Sequence, residues 1–129
     1  MSADQFEIVP DPAHCLLRIT LRGHWDVGTV EAYKAALLDA GKQLRAAGCA
    51  RDRFVALVDA RENGAQSQDV IAHYRKILGG EAYAPRRLAT LVSSALLKRQ
   101  VERIAIVNQR LFTDEADALA WLLAPDDAA

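Results

Sequence analysis

The sequence predicts an α/β domain on a mixed five-stranded sheet with about four helices, in the order β-β-α-β-α-β-α-β-α. Three observations lead there. Phe54-Val55-Ala56-Leu57-Val58 and Leu88-Ala89-Thr90-Leu91-Val92 are continuously apolar, as expected of strands covered on both faces. Segments of helical spacing alternate with these strands, so the connections cross over and most of the sheet is parallel. The segment from Cys15 to Gly23 instead alternates, with Leu17, Ile19 and Leu21 on one face and Arg18, Thr20 and Arg22 on the other. That period of two marks a half-solvated strand, paired antiparallel with a short strand before it.

At 129 residues the chain is long enough for one core and too short for two, so residues 1–129 form a single domain, with 126–129 as a frayed tail. A hydrophobic share of 51% with 26% charged residues excludes a disordered chain. No apolar stretch approaches the ~20 residues of a membrane span. Sixteen Lys and Arg against 17 Asp and Glu give a net charge of −1, which argues against a nucleic-acid partner. The first residues lack the basic and apolar regions of a secretory signal, and a cytoplasmic protein is expected. On that basis Cys15 and Cys49 are expected to be free thiols, although the predicted path from strand to helix and back brings them nearer than their numbering suggests.

The first strand is expected over Gln5 to Val9, ended by the turn signal Pro10-Asp11-Pro12-Ala13. A helix follows from Val27 to Ala47, with Val30, Tyr33, Leu37, Gly41 and Leu44 on its inner stripe. Asp26 or Thr29 starts it and Gly48 stops it. After the apolar strand at 54–58, the stretch Asp59 to Gln66 reads as a polar loop with a tight turn at Asn63-Gly64. Ser67 is placed to cap a second helix, whose stripe is Val70, Ile71, Tyr74, Ile77 and Leu78 before Gly79-Gly80. Ser93 or Ser94 starts a third helix with Leu97, Val101 and Ile104 inside. Arg110-Leu111-Phe112 forms a fifth strand. Thr113 caps a last helix facing inward through Ala116, Leu119, Ala120 and Leu123. The predicted core is Leu17, Ile19, Leu21, Val55, Leu57, Leu91, Leu97, Val101, Leu119 and Leu123.

This element order resembles the STAS superfamily, in particular the SpoIIAA-like proteins related to anti-sigma-factor antagonists. The resemblance rests on Leu16 to Trp25, on Phe54 to Asp59, on Arg87-Leu88-Ala89 and on Leu111 to Leu122, whose Phe-Thr-Asp-Glu-Ala…Ala-Trp-Leu ending is similar to that group's. It implies a regulatory module that recognises another protein through the segment after the central strand and the helix that follows. Regulatory members carry an Asp-Ser-Ser or Asp-Ser-Thr phosphoacceptor motif there. Here the matching stretch reads Gln66-Ser67-Gln68-Asp69, so serine-phosphorylation control is expected to be absent. The fold's likeness to Sec14-like lipid binders implies an alternative, a carrier of a small apolar ligand or lipid in a pocket between sheet and helices.

The candidate recognition residues are therefore Asp59, Arg61, Asn63, Gly64, Ser67 and Asp69, with Trp25 and His73 as surface anchors. Ser67 reads first as a cap, and Asp69 with His73 as an i, i+4 surface pair. Arg51, Arg53, Arg86 and Arg87 precede neighbouring strands and would form a basic rim at the opposite end of the sheet. No catalytic constellation, phosphate loop, cofactor motif or metal-ligand spacing emerges. The sequence thus points to a non-catalytic cytoplasmic binding module whose partner is a protein, and leaves a homodimer open.

Overall fold

A computed structural model describes residues 5–49, 53–63, 67–78, 85–93 and 109–125. Five strands form one sheet in the spatial order β1-β2-β3-β4-β5. They are β1 (Phe6–Asp11), β2 (Leu16–Gly23), β3 (Val55–Asn63), β4 (Arg87–Leu91) and β5 (Gln109–Phe112). β1 runs antiparallel to β2, and β2 through β5 are mutually parallel. Three helices lie among the described residues: α1 (Val27–Ala46), α2 (Gln68–Leu78) and α3 (Glu115–Leu122). The predicted helix through Leu97, Val101 and Ile104 lies outside the described residues, as do Arg51, Gly64, Gly79 and Gly80.

Alternation along the strands separates two apolar layers. Leu17, Ile19 and Leu21 of β2, Ala56, Val58 and Ala60 of β3 and Leu88 of β4 join Val30, Tyr33, Leu37, Ala40 and Leu44 of α1 and Val70 of α2. On the other face Leu16, Val55, Leu57, Ala89 and Leu91 meet Ala118 and Leu122 of α3. The central strands are thus apolar on both faces because helices cover both.

Asp26 caps α1, accepting the Thr29 backbone N–H at 2.7 Å. Gly48, with φ of +102°, turns the chain out of the helix, a conformation that an L side chain resists. Ala40 rather than Gly41 completes the buried stripe.

Several expectations are corrected. β1 continues through Pro10 and Asp11, and the turn begins at Pro12. Pro10 is tolerated because β1 is the edge strand among the described residues and no described strand needs its missing N–H. β3 runs five residues past Val58, so Asp59 to Asn63 is strand rather than loop. The parallel partner β2 is long enough to pair with it, Thr20 lying beside Asp59 and Gly23 beside Asn63. Asp114, not Thr113, caps α3, accepting from the Asp117 N–H at 3.0 Å. The inner face of that helix is accordingly Ala118 and Leu122, with Leu119 and Trp121 half-buried, while Ala116, Ala120 and Leu123 are exposed.

Cys15 and Cys49 are not free thiols: they form a disulfide, with Cα atoms 5.7 Å apart. Cys15 closes the β1–β2 turn with a positive φ of 48°, and Cys49 follows Gly48 at the end of α1. The helix returns to the end of the sheet where β2 begins, which brings the two together.

The expected basic rim is also largely absorbed by structure. Arg87 is buried and donates to the Trp121 carbonyl and, at 3.2 Å each, to the carbonyls of Ala124 and Pro125. Arg86 donates to Leu122 O at 3.4 Å. Two guanidinium groups thereby satisfy the C-terminal carbonyls of α3 and complement its dipole. Arg53 remains exposed.

Candidate functional site

The C-terminal end of β3 holds Asp59, Arg61 and Asn63 of the residues expected to act. Between Thr20 and Arg22 of β2 the register with β3 shifts by one residue, from Thr20 beside Asp59 to Arg22 beside Glu62. The extra residue makes a β-bulge, a device that re-aims side chains near strand ends. Asp59 stabilises it. Its carboxylate accepts the Arg61 backbone N–H at 3.1 Å and the Arg61 guanidinium at 2.9 and 2.8 Å. This forked pair holds the Asp59 carboxyl below its ordinary range and raises the Arg61 pKa, and the Asp59 hydrogen bond is the main cause in both.

Further charges surround the bulge. Arg22 lies 3.7 Å from Glu7 and 3.9 Å from Glu62, and Arg18 lies 3.7 Å from Glu115 at the start of α3. Each of these contacts is long and solvated, so the surface is a mixed-charge face with little fixed geometry.

Ser67 sits just beyond, at the start of α2. Its Oγ accepts the Val70 N–H at 3.2 Å and its carbonyl accepts the Ile71 N–H at 3.0 Å, so it is the N-cap the sequence predicts. Asp69 adds a carboxylate in the first turn, where the dipole favours it. Asp59, Arg61, Ser67 and Asp69 are thus carried by the end of β3 and the start of α2. Asn63 ends β3, and Gly64 lies outside the described residues.

The two expected anchors belong elsewhere. Trp25 is 8% exposed and is a core residue, not a surface anchor. Its ring packs against Phe6 and Tyr33 at centroid distances of 5.8 and 5.2 Å, and its Nε1 donates to Arg22 O at 3.0 Å. Trp25 stands in the three-residue link between β2 and α1, which sets its indole in the seam between them. His73 pairs through Nε2 with Glu31 of α1 rather than with Asp69. It therefore bridges two helices.

Sequence reasoning missed Arg18, Arg22, Glu62 and Glu115 as neighbours of the bulge. Their alternation along β2 was visible, but the partners come from β1, β3 and α3. It also missed a groove of about 380 Å3 between β1 and α1, lined by Phe6, Glu7, Ile8, Pro10, Ala36, Asp39, Ala40 and Gln43. Among the described residues no group of three or more His, Cys, Asp or Glu side chains could hold a metal ion, and no helix is long and apolar enough to cross a membrane.

Neither a family model nor a curated protein matches the chain. Among solved structures, it is similar to an uncharacterized protein of the DUF3478 family with a SpoIIAA-like fold from Shewanella loihica PV-4. The TM-score is 0.66 at 22% identity, over 91% of this chain and 93% of that one. With the strand order and helix placement above, this likeness establishes that the chain is a single α/β domain of SpoIIAA-like fold.

Proposed function

We propose that this domain is a non-catalytic regulatory binding module, recognising another protein through the end of β3 and the start of α2 without serine-phosphorylation control. The observation that carries the reading is the use of Ser67 as the N-cap of α2, with Asp69 in the same turn. A phosphate on Ser67 would forfeit that cap and face the Asp69 charge. The bulge fixed by Asp59 and Arg61 holds the neighbouring strand end in one shape, so that its partner meets a preformed surface.

The carrier alternative has weaker support. The groove between β1 and α1 has the volume for a small ligand, but it opens along the sheet edge and includes Glu7 and Asp39 in its lining.

Two measurements test the proposal. Intact-mass analysis of the protein from its own cells should find Ser67 unmodified, and substantial phosphate there would overturn the loss of control. Affinity capture with wild type and with Asp69→Arg, an exposed substitution, should retain a protein on the first and lose it on the second. Equal retention would remove the recognition surface from this site. A cytoplasmic location is part of the proposal. Cell fractionation should then recover the protein with the cytoplasmic fraction, and recovery from an oxidising compartment would overturn that part of the proposal.

A further inference from the structure

We infer that the groove between β1 and α1 is an acceptor for an extended peptide of alternating apolar and basic residues, which adds to the sheet as a sixth strand beside β1. This surface adjoins the β3–α2 site through Arg22, which lies between Glu7 and Glu62, but its backbone edge and its groove belong to β1 and α1.

The backbone comes first. Arg22 donates its N–H to Gln5 O at 2.8 Å, so these two residues form a hydrogen-bonded pair. The register then assigns the next hydrogen-bonded positions of β1 to Glu7, Val9 and Asp11, opposite Thr20, Arg18 and Leu16. Phe6, Ile8 and Pro10 therefore turn their backbone groups to the outer edge, where no described strand pairs with them. Pro10 offers no N–H, so the acceptor segment is short and centres on Phe6 and Ile8.

Side chains are in phase with that edge. Phe6, Ile8 and Pro10 share one face and line the groove, whose other wall is Ala36 and Ala40 of α1, small residues that leave room. A strand laid beside β1 would send every second side chain into this space and the others to the opposite face, beside Glu7. The lining contains two carboxylates, Glu7 and Asp39, and no cation, and the cation beside Glu7, Arg22, makes only a long, solvated contact of 3.7 Å. Apolar residues therefore suit the positions that enter the groove against Phe6, Ile8 and Ala36, and Lys or Arg suits the alternate positions on the face of Glu7.

A second copy of the chain fits less well. Of the two antiparallel registers that overlap most of β1, one sets Glu7 opposite the Asp11 of the other copy and Pro10 opposite its Ile8. The other sets Pro10 opposite Phe6 and loses a hydrogen bond.

The test uses the whole protein and a labelled Lys-Val-Lys-Val-Lys-Val peptide, with Glu-Val-Glu-Val-Glu-Val as control. Fluorescence anisotropy at physiological salt should show binding of the first and not the second, with slowed amide exchange at Phe6 and Ile8. Ile8→Pro removes an outward N–H without touching the β1–β2 ladder, and Ala36→Leu fills the groove from the helix side. Each should weaken binding by about tenfold or more. Should Ile8→Pro fail to fold, Ala36→Leu decides. Absence of binding to the wild type, or wild-type affinity retained by the folded variants, would overturn the proposal. So would a wild-type dimer that Ile8→Pro dissolves, which gives the edge to a second copy, or displacement of the peptide by oleate, which gives the groove to an apolar ligand.

Discussion

Cys15 and Cys49, separated by 34 positions in the chain, are covalently joined with their Cα atoms 5.7 Å apart. The bond ties the β1–β2 turn to the end of α1. The same end is held by the Cys49 N–H, which donates to Leu44 O at 3.0 Å. Closing a loop of this length stabilises a small domain by about 2–4 kcal/mol, chiefly through the unfolded chain. Adding reductant should therefore lower the thermal midpoint by on the order of 10 °C. A midpoint that does not move would show that the cross-link contributes nothing.

Leu57 is 3% exposed between β3 and α3. Leu57→Ala removes buried apolar volume that the rigid sheet cannot close over, and should cost about 2–5 kcal/mol in denaturant unfolding. A loss under about 1 kcal/mol would mean that the second layer is loosely packed.

Ser67→Ala deletes the cap of α2 and leaves the Val70 N–H without its partner. The expected cost is about 1 kcal/mol. Ser67→Asp, which keeps a capping acceptor, should restore most of it. Partner capture should survive both substitutions, because the side chain faces its own helix.

Arg87 joins β4 to the carbonyl end of α3. Arg87→Ala should destabilise by ~2 kcal/mol, since it removes a buried guanidinium that serves three part-buried carbonyls. Arg87→Lys should rescue only in part, because a single ammonium cannot span carbonyls served by a planar fork. Hydrogen exchange in α3 reads the effect directly.

Acid should destabilise the fold through its low-pKa carboxylates. Asp59 is held below the ordinary 3.8 chiefly by the Arg61 hydrogen bond, Asp26 by the Thr29 backbone N–H, and Asp11 by His14. A depressed folded-state pKa contributes stability above the unfolded value and loses it as pH falls through the folded one. The thermal midpoint should therefore be flat above about pH 5 and fall below about pH 4. Asp26→Asn with Asp59→Asn should flatten that fall, and an unchanged profile would assign acid sensitivity to other groups.

Much of the architecture was legible in the residues. Continuous apolarity at Val55–Val58 and Leu88–Leu91 requires cover on both faces, and the two apolar layers supply it. Asp26, Gly48 and Ser67 mark helix ends because capping is settled within a few residues of chain. Local interactions of this kind leave their imprint in adjacent sequence positions.

Only the tertiary structure decided the rest. Asp59 to Asn63 is polar and looks like a loop, yet becomes strand because β2 extends alongside it. Trp25 reads either as a surface anchor or as a residue closing the edge of the core, and Phe6 and Tyr33, which pack around it, settle it as core. Arg87 reads as surface charge, and the end of α3, 34 residues later, takes it inside. The cysteines read as free thiols until α1 returns Cys49 to the start of β2. In each case the deciding partner lies far away in the chain, and hydrogen-bonding and packing energy depends on distance in space rather than on separation in sequence.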